Sequence, residues 1–125
     1  MRIEGISMYV DDIEKESKFF EKYFDGRIME KECNREEKME LCRIAFSEGV
    51  QLELVTHRNV DEIARKLYLG YRHMAINVGS NAKVFHITKR MCEDGYEVMA
   101  EPQKTRWGYR SYVMDGEGNV IEITA

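Results

Sequence analysis

The chain repeats itself. Ile3-Glu4-Gly5-Ile6-Ser7-Met8-Tyr9-Val10-Asp11-Asp12 matches Tyr71-Arg72-His73-Met74-Ala75-Ile76-Asn77-Val78-Gly79-Ser80 at an offset of 68. In both stretches an alternating run reaches a Val and then a small or acidic residue suited to cap a helix. At an offset of 69, Asp25-Gly26 falls on Asp94-Gly95, and Gln51-Leu52-Glu53-Leu54-Val55 falls on Val120-Ile121-Glu122-Ile123-Thr124. Three registered matches with one gap define a duplicated module, and a repeat constrains the fold more than any local propensity. The copies differ at one informative place: His73 stands where the first copy has Gly5.

Two such modules in 125 residues make a single domain with enough chain to bury a core. Hydrophobic residues at 43% and a single proline exclude a disordered chain. The 19 basic and 23 acidic residues are interspersed, without the basic stripe that nucleic acid needs. No apolar run is long enough for a membrane span, and no secretory signal opens the sequence. Cys33, Cys42 and Cys92 are odd in number and lack metal-finger spacing, which suggests reduced thiols in a cytoplasmic protein. The thiols and methionines read as core filling.

Module one spans 1–56. Arg2 to Val10 alternates as a strand, and Asp11 and Glu14 form a capping box. Ile13, Phe19, Phe20, Tyr23 and Phe24 give a helix with one apolar face, stopped by Asp25-Gly26. Strands follow over 27–33, 39–46 and 50–56, completing β-α-β-β-β. Residues 57–69 carry Val60, Ile63, Ala64 and Leu67 at helical spacing and read as a helical linker. Module two spans 70–125: a strand over 72–78, a helix capped by Ser80 over 82–93, a strand over 96–101 ended by Pro102, and strands over 109–114 and 120–124.

Strand alternation then sorts the side chains. Ile6, Met8, Leu52, Leu54, Met74, Ile76, Ile121 and Ile123 take the face covered by the helices. Gly5, Ser7, Tyr9, Glu53, His73, Asn77 and Glu122 take the other. An imidazole and two carboxylates thus share one face at strand positions related by the repeat. They are suitable donors for Zn²⁺, Ni²⁺, Mn²⁺ or Fe²⁺; the plainer alternative is a satisfied histidine and two outward glutamates. Arg43 shares this parity and either holds an anionic group or is an exposed strand arginine. Trp107 and Tyr109 lie in or beside the loop before the seventh strand, where Trp107 stacks on a planar ligand or sits in a dimer interface.

The paired modules, His73-Met74-Ala75-Ile76, and Asp115-Gly116-Glu117-Gly118-Asn119-Val120-Ile121-Glu122 together resemble the vicinal oxygen chelate superfamily, which includes glyoxalase I, bleomycin-resistance proteins and extradiol dioxygenases. The last segment is similar to the family's Asp-Pro-Asp/Glu-Gly-Asn-x-Ile-Glu pattern, with Gly116 where proline is usual. The resemblance implies an α+β fold in which two tandem βαβββ modules form a curved mixed sheet around a cleft, with helices outside.

Carried over residue by residue, the family's metal positions fall on Gly5, Glu53, His73 and Glu122, so one ligand position is a glycine. The resemblance implies a divalent ion held by Glu53, His73 and Glu122, with Glu53 or Glu122 as general base in a glyoxalase-like lyase or isomerase. Ser7, Tyr9, Arg43, Asn77, Trp107 and Tyr109 would line the substrate cleft. The alternative is a metal-free small-molecule binder of the bleomycin-resistance type. A homodimer is expected in either case, with no nucleic acid or membrane partner.

Overall fold

A computed structural model describes residues 5–36, 38–57 and 73–125. The linker helix expected over 57–69 lies outside these residues, apart from His57. The chain divides into two compact units, 1–69 and 70–125, each described by itself.

The first unit runs β1 (Gly5–Tyr9), α1 (Ile13–Phe24), β2 (Arg27–Asn34), β3 (Met39–Ala45) and β4 (Gln51–His57). The second runs β5 (Met74–Asn77), α2 (Asn81–Glu93), β6 (Val98–Thr105), β7 (Gly108–Met114) and β8 (Val120–Thr124). Their sheets have the same order, β1-β4-β3-β2 and β5-β8-β7-β6. In each, the first strand pairs in parallel with the fourth and the other pairings are antiparallel. These are the two βαβββ modules, each with its helix on one face of its sheet. The register is set by burial, because a slip of one residue would turn the apolar set to the wrong face. Leu52, Leu54 and Ile44 are buried beneath Phe19 and Phe20 in the first unit; Ile121, Ile123 and Val113 are buried with Val84 and Met91 in the second.

The helix starts obey the repeat. Asp12 caps α1, its side chain accepting from the Lys15 amide at 2.9 Å, and Ser80 caps α2 by accepting from Lys83 at 3.3 Å. Both caps and both donors are related by the offset of 68. The expected box of Asp11 and Glu14 is therefore corrected to Asp12. Glu14 instead pairs with Lys31 at 2.7 Å and Lys18 at 3.2 Å, and Lys31 then Lys18 hold its carboxyl below the usual range. α2 has 13 residues against 12 in α1, so the helix absorbs the one-residue step from 68 to 69.

The helix ends do not repeat. After α1 it is Asp25 that turns left-handed, at φ 53°, and Gly26 is pressed against the helix, its amide donating to the Phe20 carbonyl at 3.0 Å. After α2, Asp94 keeps φ −80° and Gly95 takes the left-handed role at φ 92°. A Cβ on Gly26 would lie 2.8 Å from Ile44 Cγ2 and 3.0 Å from the Phe20 oxygen, whereas at Gly95 it would meet nothing within 4 Å.

Two further expectations change. Pro102 does not end β6, which continues to Thr105 beside two register shifts against β7; proline is tolerated where the ladder is already interrupted. The thiols and methionines are not all core: Cys42 is buried, while Cys33, Cys92, Met29 and Met99 are exposed.

Gly26→Ala should cost about 1–3 kcal/mol from overpacking, and Gly26→Asn more. At Gly95, asparagine should be tolerated better than alanine, because the demand there is conformational. Urea unfolding of the four variants checks this ordering. Burial raises the Cys42 thiol above its ordinary pKa. A thiol reagent at neutral pH should therefore modify Cys33 and Cys92 readily and Cys42 only after unfolding; mass mapping of the labelled protein checks it.

Candidate functional site

In the first unit, β1 and β4 set Ser7 beside Glu53 and β3 sets Arg43 directly opposite it. Ser7 Oγ donates to Glu53 Oε1 at 3.1 Å, and Arg43 Nε donates to Glu53 Oε2 at 3.2 Å. Arg43 also reaches across to Glu30 Oε2 on β2 at 2.5 Å. Hydrogen bonds first to Glu53 and then to Glu30 raise the pKa of this guanidinium further. The group borders a concavity of about 300 Å³ lined by Gly5, Ile6, Ser7, Arg43, Gln51 and Glu53. Gly5 is a close approach as well as a missing side chain, since a Cβ there would lie 3.1 Å from the Gln51 carbonyl oxygen.

In the second unit, His73 sits just before β5 and its Nε2 lies 2.7 Å from Glu122 Oε2. Arg110 Nη1 donates to Glu122 Oε1 at 2.5 Å, while Arg110 Nη2 donates to the Trp107 carbonyl. The His73 ring meets Tyr112 edge-on, with centroids 5.7 Å apart. A cavity of about 260 Å³ is lined by His73, Met99, Ala100, Tyr112 and Val120.

Two local devices fix this geometry. Asp115 is buried in the β7–β8 turn, accepting from the Glu117 and Asn119 amides at 2.8 Å each and from the Asn119 side chain at 2.8 Å; Gly118 takes φ 85°. The turn so formed sets the register that carries Glu122, which explains in physical terms why Asp115, Gly118 and Asn119 stand where they do. On the opposite face of β7, Ser111 Oγ and Thr88 Oγ1 of α2 share a buried hydrogen bond of 2.6 Å. That bond pins the helix to the strand between Arg110 and Tyr112.

The remaining sequence candidates fall elsewhere. Tyr9 is exposed on the parity of Ser7 but is not among the cavity-lining residues. The Asn77 side chain accepts from the Gly79 amide at 2.8 Å, bracing the turn before α2. Trp107 is exposed with the Arg106 guanidinium 4.1 Å from its ring centroid. Tyr109 alternates with Arg110, on the parity of buried Ser111 and Val113. Sequence reasoning missed Glu30, Met99 and Tyr112. Tyr112 was within reach, because the offset of 69 places it on Arg43.

A resident divalent ion asks for three or more donors with lone pairs to spare. Both oxygens of Glu53 and both of Glu122 already have partners, and each carboxylate has a guanidinium against it. At an effective dielectric of about 20 and a distance of about 4 Å, a doubly charged ion gains roughly 8 kcal/mol from a carboxylate and loses as much to an arginine. Among the described residues, no three His, Cys, Asp or Glu side chains group closely enough to hold a metal ion. Within either unit taken by itself, the described donors do not make a set that fits one.

The two arginine pairs differ in burial. Side-chain exposure is 14% for Arg110 and 7% for Glu122, against 37% for Arg43 and 31% for Glu53. Arg110→Ala should therefore cost about 3 kcal/mol by leaving a buried carboxylate without its charge partner. Arg43→Ala should leave the urea midpoint almost unmoved, since exposed pairs contribute little. Parallel unfolding curves check the contrast.

The fold has many relatives among solved structures. Trypanothione-dependent glyoxalase I of Leishmania major is 22% identical with a TM-score of 0.80, covering 99% of this chain and 86% of its own. A possible glyoxalase from Bacillus cereus is 23% identical with a TM-score of 0.75, covering 100% and 99%. Glyoxalase I of Zea mays is 20% identical with a TM-score of 0.80; the match covers 98% of this chain but only 44% of the maize chain. Against curated proteins the sequence finds no match. Among the described residues, no helix is long and apolar enough to cross a membrane. The family model of the Glyoxalase/Bleomycin resistance protein/Dioxygenase superfamily matches residues 2–123, and the chain belongs to that superfamily.

Proposed function

We propose that this chain binds a small oxygenated molecule without a resident divalent metal, in the manner of the bleomycin-resistance branch of its superfamily. The observation that supports this is the pairing of each candidate carboxylate with an arginine, Glu53 with Arg43 and Glu122 with Arg110. A lyase or isomerase dependent on Zn, Ni, Mn or Fe, with Glu53 or Glu122 as base, would need those carboxylates free to face the ion.

The bordering concavities, about 300 and 260 Å³, lie at the lower end of the range for small-molecule sites. In the second, His73 Nε2 faces Glu122 Oε2 at 2.7 Å, which leaves Nδ1 as the ring nitrogen that a ligand hydroxyl or amide would meet. Tyr112 and Met99 supply apolar surface for the ligand body. In the first, the Ser7 hydroxyl, the outer edge of Arg43 and the Gln51 amide are polar groups a ligand oxygen would meet. We propose a homodimer in the cytoplasm as the setting, following the family resemblance and the absence of a disulfide among the three described cysteines.

The deciding experiment is metal analysis beside ligand screening. Protein incubated with Zn²⁺, Ni²⁺, Mn²⁺ or Fe²⁺ and then desalted should retain far less than one ion per chain. A thermal-shift screen of small hydroxy and oxo compounds and planar aromatics should give stabilising ligands whose effect is lost in His73→Ala. One ion per chain in the wild type, lost in His73→Ala, would restore the metalloenzyme.

A further inference from the structure

We infer that Arg110 is a specificity-determining residue: it bars divalent metal cations from the His73–Glu122 pair. This deepens the metal-free reading above and rests on it. Arg110 spends Nη1 on Glu122 and Nη2 on the Trp107 carbonyl, while its Nε is buried with no partner among the described residues. A guanidinium that leaves a buried N–H unmatched gives up hydrogen bonding, and what it obtains in return is contact with the carboxylate.

The placement is not inherited from the duplication. The residue directly across from Glu122 is Tyr112, and Arg110 pairs with Thr124, reaching Glu122 on the diagonal. In the first unit Arg43 stands directly across from Glu53, at the position equivalent to Tyr112. Each module therefore arrives at a carboxylate–guanidinium pair from a different strand position. In the second module the pair is internally neutral, so the His73 cavity meets no uncompensated negative charge. A cation drawn to the Glu122 carboxylate beside that cavity would find Arg110 already against one oxygen and His73 against the other, whereas an uncharged or anionic ligand would not be penalised.

The test separates charge from structure. Zn²⁺ alone is titrated calorimetrically, near neutral pH, into the wild type, Arg110→Gln, Arg110→Lys and the double variant Arg110→Gln/His73→Ala, with circular dichroism confirming the fold. Glutamine keeps a donor for Glu122 and removes the charge; lysine keeps the charge. Arg110→Gln should bind Zn²⁺ at least about tenfold more tightly than the wild type, since a like charge beside a site costs several kcal/mol. Arg110→Lys should stay as weak as the wild type, and the double variant should lose the gain. Arg110→Met carries the same expectation if the glutamine variant is unfolded. Folded neutral variants that bind no more tightly than the wild type, or a lysine variant that gains equally, would overturn the inference and leave the metal-free reading standing. Tight Zn²⁺ binding by the wild type through His73 would overturn both.

Discussion

The chemistry of each module depends on the parallel pairing of its first and last strands. Antiparallel neighbours can be joined by a tight turn, but a parallel pair needs a long excursion, and here that excursion is the helix and the two intervening strands. Closing it brings Ser7 beside Glu53 in one unit, and sets β5, with His73 at its entrance, beside the strand of Glu122 in the other. Neither neighbourhood exists locally in sequence. The apolar residues that alternate with these polar ones, Leu52 and Leu54 or Ile121 and Ile123, are buried against the helices. Burial of one face thus fixes what the other face presents.

Charge on that second face is balanced, but not in the same way in the two modules. A long arginine can reach a carboxylate directly across the ladder or one step along the diagonal, because both lie within its span. Arg43 uses the first route in a half-exposed setting and also bridges to Glu30; Arg110 uses the second in a buried one. The energetic weight differs accordingly. The buried pair carries the larger penalty if broken, and the more open pair is the easier one for a ligand to rearrange.

Much of this was legible in the sequence because it follows from period and repeat. The order of elements along the chain, the parity of Ser7, Glu53, Asn77 and Glu122, and the Ser80 cap came from alternation and offset. The Asp12 cap was legible too, since the offset of 68 places Asp12 on Ser80; local capping-box chemistry pointed to Asp11 instead, and the repeat was the better guide. Pro102 misled because proline reads as a strand end, and the shifts between β6 and β7 that accommodate it depend on the partner strand. The arginine pairings were harder still. Which carboxylate a long side chain meets depends on register and on whether it reaches across or diagonally, and neither is written in local pattern. Glu122 therefore reads as a free ligand in sequence, although in the fold it is already spoken for.

The paired Asp-Gly signatures show how far a repeat can be trusted. The same dipeptide follows both helices, yet one glycine is required by crowding against Ile44 and Phe20, and the other by a left-handed backbone. Both helices end in register at the offset of 69, yet the left-handed position falls on Asp25 after one and on Gly95 after the other, so identical residues answer different physical demands. Duplication preserves where a residue stands before it preserves what the residue does. Gly5 and His73 are the sharper instance. Their equivalence locates a site, but the imidazole meets a buried, arginine-bound glutamate, while the glycine meets a backbone carbonyl that crowds any larger side chain. The two halves therefore inherit one geometry and put it to separate use.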